Sequence, residues 1–281
     1  MILLQDLEPE VHYDRVTPAW TLLMGPDLHY GYFGDGAGDL QQATRALTRR
    51  MATHGGIVPD LDILDVGCGT GGPACFLADE FCCRVHGIST SEVGLREARR
   101  QAEARGLRNR TKFTYGDGMD NRLPDSSFDC VWVLQASHFM KHKDRLVAES
   151  ARVLRPGGRI VLGDIMLRAP LPMTELIKYR EQFLLLHRVF GRAKMESIES
   201  YRSWATDSGL RVTVLEDAST ETLPTFDCWR HNAREHRSRV VDLVGESLWR
   251  QFLEACDVLE SFWKSQKLGY GLFAAVKEHS K

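Results

Sequence analysis

Near the middle of the chain, VWVLQASHFMKH (residues 131–142) opens as an apolar, β-branched run and then breaks into Gln135, Ser137, His138 and Phe139. A histidine that closes a buried strand can pack, ligate a metal or move a proton, and imidazole is the side chain whose ordinary pKa suits proton transfer near neutrality. Which of these applies depends on what the preceding residues bind. A second chemical signal lies there: ILDVGCGTGG (63–72), an apolar strand that runs into a glycine-rich turn and then a helix. Gly67, Gly69 and Gly71 allow positive φ and let a ligand approach the main chain with no Cβ in the way.

Dinucleotide enzymes use a related turn, so the glycines alone decide little. Two details separate the readings. Asp65 stands in the strand just before the turn, where a nicotinamide fingerprint stays apolar, and the loop itself reads GxGxG over 67–71. A carboxylate there suits a cationic or amine-bearing ligand better than a diphosphate. S-adenosylmethionine (SAM), with its sulfonium and α-amino group, fits that description; a strand–turn–helix with no ligand is the plain structural alternative. No metal is expected at His138, His142 and Asp164, because the i+4 pair His138 and His142 has no glutamate between. His142 reads as polar surface. The basic run RHNAREHRSR (230–239) reads as a solvated helix face, not a nucleic-acid patch.

The elements that must position these residues follow from periodicity. DILDVG (62–67), RVHGIS (84–89), TKFTYGD (111–117), FDCVWVL (128–134) and GRIVLGDI (158–165) read as strands. PACFLADEF, SEVGLREARRQAEARGL and KDRLVAESARVL between them carry helical spacing, the last stopped by RPGG. Strands alternating with helices at this interval imply βαβ crossovers and an α/β fold with a doubly wound, mostly parallel sheet. RVTVLED (211–217) and YGLFAAVKE (270–278) add two strands, making seven, and the long run between them is expected to be helical. The chain thus divides into an N-terminal helical lid segment (1–55), a ligand-binding Rossmann-like core (56–168) and a C-terminal part (169–281) with a helical substrate cap and the last two strands.

With 281 residues, 43% of them apolar, the chain can bury a large core, and a formal charge of −2 gives no footprint for nucleic acid. The opening MILLQDLEPEVHYD is acidic where a signal peptide needs a basic start, and no apolar run approaches a membrane span. The seven cysteines, scattered and without paired spacing, are expected to be reduced core residues. A cytoplasmic location with no membrane partner is expected.

Several ordered motifs carry a family resemblance over residues ~10–165. ILDVGCGTGG, HGISTSEVGLREAR (86–99), YGDGMDNRLPDSSFDCVW (115–132), ESARVLRPGGRIVLGD (149–164) and the entry MGPDLHYGYF (24–33) resemble class I SAM-dependent methyltransferases. The resemblance is to the branch holding UbiE-like enzymes, sarcosine methyltransferases and rebeccamycin-type sugar O-methyltransferases. It implies that Gly67, Cys68 and Gly69 line the methionine end of SAM, with Asp65 near its amino group. Ser89 and Thr90 stand where many relatives place an acidic residue for the ribose; Gly94 replaces a frequent glutamine. Asp117 is implied to accept from the adenine amino group, with Gly118 and Met119 against the ring and Leu134 and Gln135 closing the far side. Tyr13 and Tyr32 either lie over the cofactor or simply pack. His138 aligns with the first of two adjacent histidines in the rebeccamycin-type enzymes; Phe139 replaces the second. Asp164 occupies the position of that family's aspartate after strand five, where a carboxylate would hold the imidazole in one tautomer.

The acceptor must then be held by the cap and the N-terminal segment. MTELIKYREQFLLLHRVF (173–190) places Leu176, Tyr179, Phe183 and Leu186 on one helical stripe. Phe33, Phe139, Tyr179, Phe183, His187 and Trp229 are expected to face the acceptor. The resulting expectation is a SAM-dependent O-methyltransferase of a hydroxyl on a natural product or sugar-bearing metabolite. In it His138 is the general base, a substrate-orienting hydrogen-bond partner or a packing residue, in that order. C- or N-methylation of a related or quinone- or isoprenoid-like acceptor is the alternative; a non-catalytic SAM-binding protein and a nicotinamide oxidoreductase are readings from other classes. A homodimer is compatible with the sequence.

Overall fold

The computed structural model describes residues 9–34 and 36–279. Residues 1–8, the acidic opening weighed above against a signal peptide, lie outside that range. Helices α1 (Pro9–Met24) and α2 (Leu40–Gly55) flank the glycine-rich entry segment. There follow β1 (Asp62–Val66), α3 (Gly72–Glu80), β2 (Arg84–Ser89), α4 (Glu92–Ala104), β3 (Thr111–Tyr115), β4 (Phe128–Leu134), α5 (Lys143–Val153) and β5 (Leu154–Leu167). The rest is α6 (Met173–Lys178), α7 (Arg180–Phe190), α8 (Ile198–Asp207), β6 (Leu210–Asp217), α9 (Ser219–Thr222), α10 (Thr225–Glu235), α11 (Arg237–Val244), α12 (Glu246–Lys264) and β7 (Leu268–Lys277).

The chain packs as two compact units. One gathers the described residues up to Leu47, Ile165–Ser197 and Ala218–Tyr270; the other gathers Thr48–Asp164, Ile198–Asp217 and the chain from Gly271. Packing therefore divides the molecule differently from chain order. Helix α1 packs on α10 and α11, so the N-terminal segment and most of the C-terminal part share one unit instead of standing as separate parts.

The second unit holds a seven-stranded sheet in the order β3-β2-β1-β4-β5-β7-β6. The β1–β2, β2–β3, β1–β4 and β4–β5 pairs are parallel, and β6–β7 is antiparallel. This is the doubly wound, mostly parallel sheet that the periodicity predicts. Its central strands are buried on both faces, as crossover helices require: β4 exposes little beyond Asp129, and β1 buries everything after Asp62. Helix α4 shows how sequence fixes an element. Ser91 caps it by accepting from the Gly94 amide at 2.9 Å, and Gly94, Leu95, Ala98 and Ala102 form its buried stripe. The winding reverses between β1 and β4, which leaves a crevice at their carboxyl ends, the usual ligand position in an open α/β sheet.

Two elements depart from expectation. β5 starts at Leu154, ahead of the expected Gly158, because RPGG runs on as strand through a register shift opposite Phe128–Cys130. The stripe 173–190 is two helices that meet at Tyr179, so Leu176 stays 40% exposed while Leu186 is buried. Cys68, Cys75, Cys83, Cys130 and Cys256 are buried, as core residues are expected to be, but Cys82 is exposed and Cys228 half-buried. Among the described residues no helix is long and apolar enough to cross a membrane.

Candidate active site

Three loops of the second unit converge at the β1/β4 crevice. The turn after β1 comes close to the segment after β4: a Cβ built on Gly67 would fall 2.3 Å from the Ala136 Cβ. The loop after β3 reaches both, since a Cβ on Gly118 would meet Val66 Cγ1 at 2.4 Å and Met140 Cε at 3.2 Å. Gly69 differs. It has φ +51°, and nothing lies within 4 Å of where its Cβ would stand, so the main chain is open to a ligand there.

Asp65 is the residue that points to that ligand. Its side chain is buried, its Oδ2 has no hydrogen-bond partner among the described residues, and burial alone pushes its carboxyl up to about 7. An unpaired buried carboxyl is costly unless something meets it. The ammonium of SAM's methionyl end would do so, and these residues therefore fit the cofactor. Cys68 is packed against β2, its Sγ 2.9 Å from a Cβ built on Gly87, and burial holds its thiol well above the ordinary range. Ser89 ends β2 and accepts from the Ser91 amide at 3.1 Å; Thr90 is exposed beside it. Asp117 Oδ1 accepts from the Met119 amide at 2.9 Å, which fixes the carboxylate and leaves Oδ2 for another donor. Gln135 has φ +49° and donates its amide to Gly163 O at 2.8 Å, so the chain turns sharply directly after Leu134. A non-glycine residue in that region signals a constrained segment.

The turn delivers Ser137–Phe139 as a short 3-10 turn. His138 Nδ1 lies 2.6 Å from Asp164 Oδ1, and the His138 amide donates to Asp164 Oδ2 at 3.0 Å. Both side chains are buried, Asp164 completely. A carboxylate at Nδ1 assigns the proton to that nitrogen, leaving Nε2 with its lone pair and no protein partner among the described residues. The Phe139 ring sits 3.9 Å from the imidazole, centroid to centroid, and steadies it. Asp164 also accepts from the Ser137 hydroxyl, whose oxygen lies 2.7 Å from Tyr201 OH. Sequence reasoning missed Ser137 and Tyr201. Ser137 adjoins the singled-out histidine, but nothing in the order of residues ties either hydroxyl to Asp164.

The remaining expected residues belong to the first unit. Tyr13 stands on α1 in edge contact with His12 at 5.7 Å. Tyr32 is buried, its amide donating to Ala43 O at 2.8 Å, and the Phe33 amide donates to Glu221 O at 2.8 Å. Phe183 and His187 help line an open cleft of about 440 Å³, with Leu176, Arg180 and Leu184. Burial lowers the His187 pKa. Tyr179 packs edge-on against Phe262 at 5.3 Å, and Trp229 is 1% exposed among Tyr30, Phe226 and Phe252. Among the described residues no cluster of His, Cys, Asp or Glu is arranged to hold a metal ion.

The comparisons with known proteins agree with this geometry. A family model described as a methyltransferase domain matches residues 64–162, the span from β1 into β5. The 27-O-demethylrifamycin SV methyltransferase of Amycolatopsis mediterranei is 32% identical over 265 residues, covering 94% of this chain and 95% of that one. The O-methyltransferase resE of Aspergillus sclerotiorum is 28% identical over 267 residues, with 94% and 95% covered. Among solved structures, that of the [4+2]-cyclase SpnF superposes with a TM-score of 0.82 at 27% identity, over 96% of each chain. The chain belongs to the class I SAM-dependent methyltransferases. Its cofactor is S-adenosylmethionine, and S-adenosylhomocysteine (SAH) is the product left by methyl transfer.

Proposed function

We propose that the protein O-methylates a hydroxyl of a small natural product, with His138 as general base and Asp164 orienting it. The observation that carries this reading is the buried His138–Asp164 pair, 2.6 Å apart through Nδ1, with Nε2 left unpartnered among the described residues. When bound, the cofactor supplies a methyl group already activated by a sulfonium. The protein must align the acceptor, exclude water and, for a hydroxyl, remove a proton. Nε2 takes that proton; the imidazolium that forms is stabilised by the Asp164 carboxylate, which stays ionised. Asp65 and the main chain at Gly69 would hold the methionyl end, and Asp117 Oδ2 the adenine amino group. The names of two relatives support a hydroxyl acceptor: one is a 27-O-demethylrifamycin SV methyltransferase and the other an O-methyltransferase. The location is proposed as cytoplasmic, with no nucleic-acid or membrane partner.

The test is a mass-resolved screen of hydroxylated polyketide-like and glycosylated metabolites with SAM, run on wild type and His138→Gln. A product gaining one methyl on oxygen is expected. The variant is expected to lose on the order of 10²–10⁴-fold in turnover while keeping its affinity for SAH. Turnover that survives His138→Gln, or methyl found on carbon, defeats the reading. Because a similar structure is that of a [4+2]-cyclase, the screen also follows products of unchanged mass, which would count against methyl transfer to the compound tested.

A further inference from the structure

The base pair does not end at Asp164. Ser137 Oγ donates to Asp164 Oδ2 and lies 2.7 Å from Tyr201 OH. The hydroxyl of Ser137 has one proton, and an ionised carboxylate can only accept, so that proton goes to Asp164. The Tyr201 hydroxyl must then donate to Ser137 Oγ. A chain results whose donors converge on the carboxylate, Tyr201 to Ser137 to Asp164 from one side and His138 Nδ1 to Asp164 from the other, through residues 1%, 0%, 0% and 7% exposed. Its effect on the carboxylate is geometric. Oδ2 is held by two donors, the Ser137 hydroxyl and the His138 amide, which leaves Oδ1 turned to Nδ1. Tyr201 is itself fixed by the Trp204 ring on α8, edge-on at 5.3 Å, and by Phe273 on β7 at 6.2 Å. The chain links the histidine after β4 to a helix more than sixty residues later.

We propose that Ser137 and Tyr201 are positioning residues for the methyl-transfer base: they set the rotamer and charge of Asp164 and, through it, the tautomer and basicity of His138. The proposal rests on the reading of His138 as the base, and neither hydroxyl is asked to touch the reacting atoms. Among the described residues, His138, Asp164 on β5 and Tyr201 on α8 are ionisable side chains bonded into this cluster, and the Lys143 ammonium of α5 donates to Met140 O at 2.8 Å.

The test needs no acceptor. The full chain, labelled with ¹⁵N and ¹³C in histidine and saturated with SAH, is titrated by NMR, and the His138 signal is assigned by its loss in His138→Gln. Wild type is expected to show the Nδ1–H tautomer. Ser137→Ala removes a donor from Asp164, so its less neutralised charge favours the imidazolium and the midpoint rises by roughly half a pH unit or more. Tyr201→Phe raises it by less and adds nothing in the Ser137→Ala background, because it acts through Ser137. Ser137→Thr, which keeps the hydroxyl, returns the midpoint towards wild type. Circular dichroism and SAH affinity are expected to stay unchanged throughout. Identical midpoints in all variants, or an equal shift from Tyr201→Phe with and without Ser137, overturn the proposal. If Ser137→Ala does not fold, Tyr201→Phe alone decides: an unmoved midpoint overturns it. Turnover surviving His138→Gln would sink the base reading and leave this coupling standing, so the two failures are told apart.

Discussion

Replacing Asp65 by Asn is expected to strengthen the ligand-free protein and weaken cofactor binding at once. Burial pushes this carboxyl from 3.8 up to about 7, and its Oδ2 has no hydrogen-bond donor among the described residues. A folded value above the unfolded one means that stability is fully present below about pH 4 and is lost as pH rises through about 7. The shift of about three pH units corresponds to a ceiling of about 4 kcal/mol. Asp65→Asn removes that loss, so above pH 7 the variant without ligand should resist urea better than wild type. Binding runs the other way. If the carboxylate meets an ammonium, only its ionised form binds well, and between pH 5.5 and 7 the ionised fraction of a group with a pKa of about 7 grows by roughly sixteenfold. SAH affinity measured by isothermal titration calorimetry should rise by about that factor in wild type, with protons released on binding. In Asp65→Asn it should be flat with pH and, at pH 7.5, weaker by about 10- to 100-fold. A wild-type affinity that does not change from pH 5.5 to 7, or a variant that binds SAH as tightly as wild type, refutes the reasoning.

Other perturbations read the same chemistry and packing elsewhere. Gly118→Ala would place a Cβ 2.4 Å from Val66 Cγ1; overpacking of about 1–3 kcal/mol and a Tm lower by several degrees are expected, checked by thermal unfolding with and without SAH. His12, buried with Nε2 bonded to Val189 O at 2.9 Å, is pulled from 6.5 down to about 4 by burial. A folded value below the unfolded one gives stability that is present above about pH 6.5 and lost as pH falls through about 4. His12→Gln should flatten that acid loss by up to about 3 kcal/mol in urea unfolding between pH 6.5 and 4; an unchanged slope would show that His12 does not titrate with unfolding.

The parts of this fold legible in the sequence are those fixed by local pattern. β2 and β4 run from Arg84 to Ser89 and from Phe128 to Leu134, as their apolar runs indicate, because a strand buried on both faces has little freedom in where it begins. The glycine bend, Asp65 and His138 were legible for a different reason: each is a residue type out of keeping with its apolar neighbours. What the sequence did not disclose depends on the far end of a contact. RPGG reads as a stop, yet β5 continues through it because β4 supplies Phe128 as a partner for Leu154. Tyr179 divides α6 from α7 with neither proline nor glycine to announce it.

The same distinction explains the site. A serine beside a histidine is too ordinary to single out, and Tyr201 sits in a polar helical stretch with nothing in its local composition to tie it to a base. Its meaning arises only when residues 198–217 return to the sheet's unit and set a phenol against Ser137. The residues that face chemistry are therefore declared by type, whereas those that aim them are declared by topology. Asp164 stands between the two groups. Its carboxylate was implied by alignment with a family, but its two oxygens are assigned by their partners: Oδ2 to a hydroxyl and an amide, Oδ1 to the imidazole. Losing Tyr201 or Ser137 should thus leave fold and cofactor affinity in place while altering the protonation of a nitrogen that neither residue touches, an effect that a purely structural hydroxyl pair would not produce.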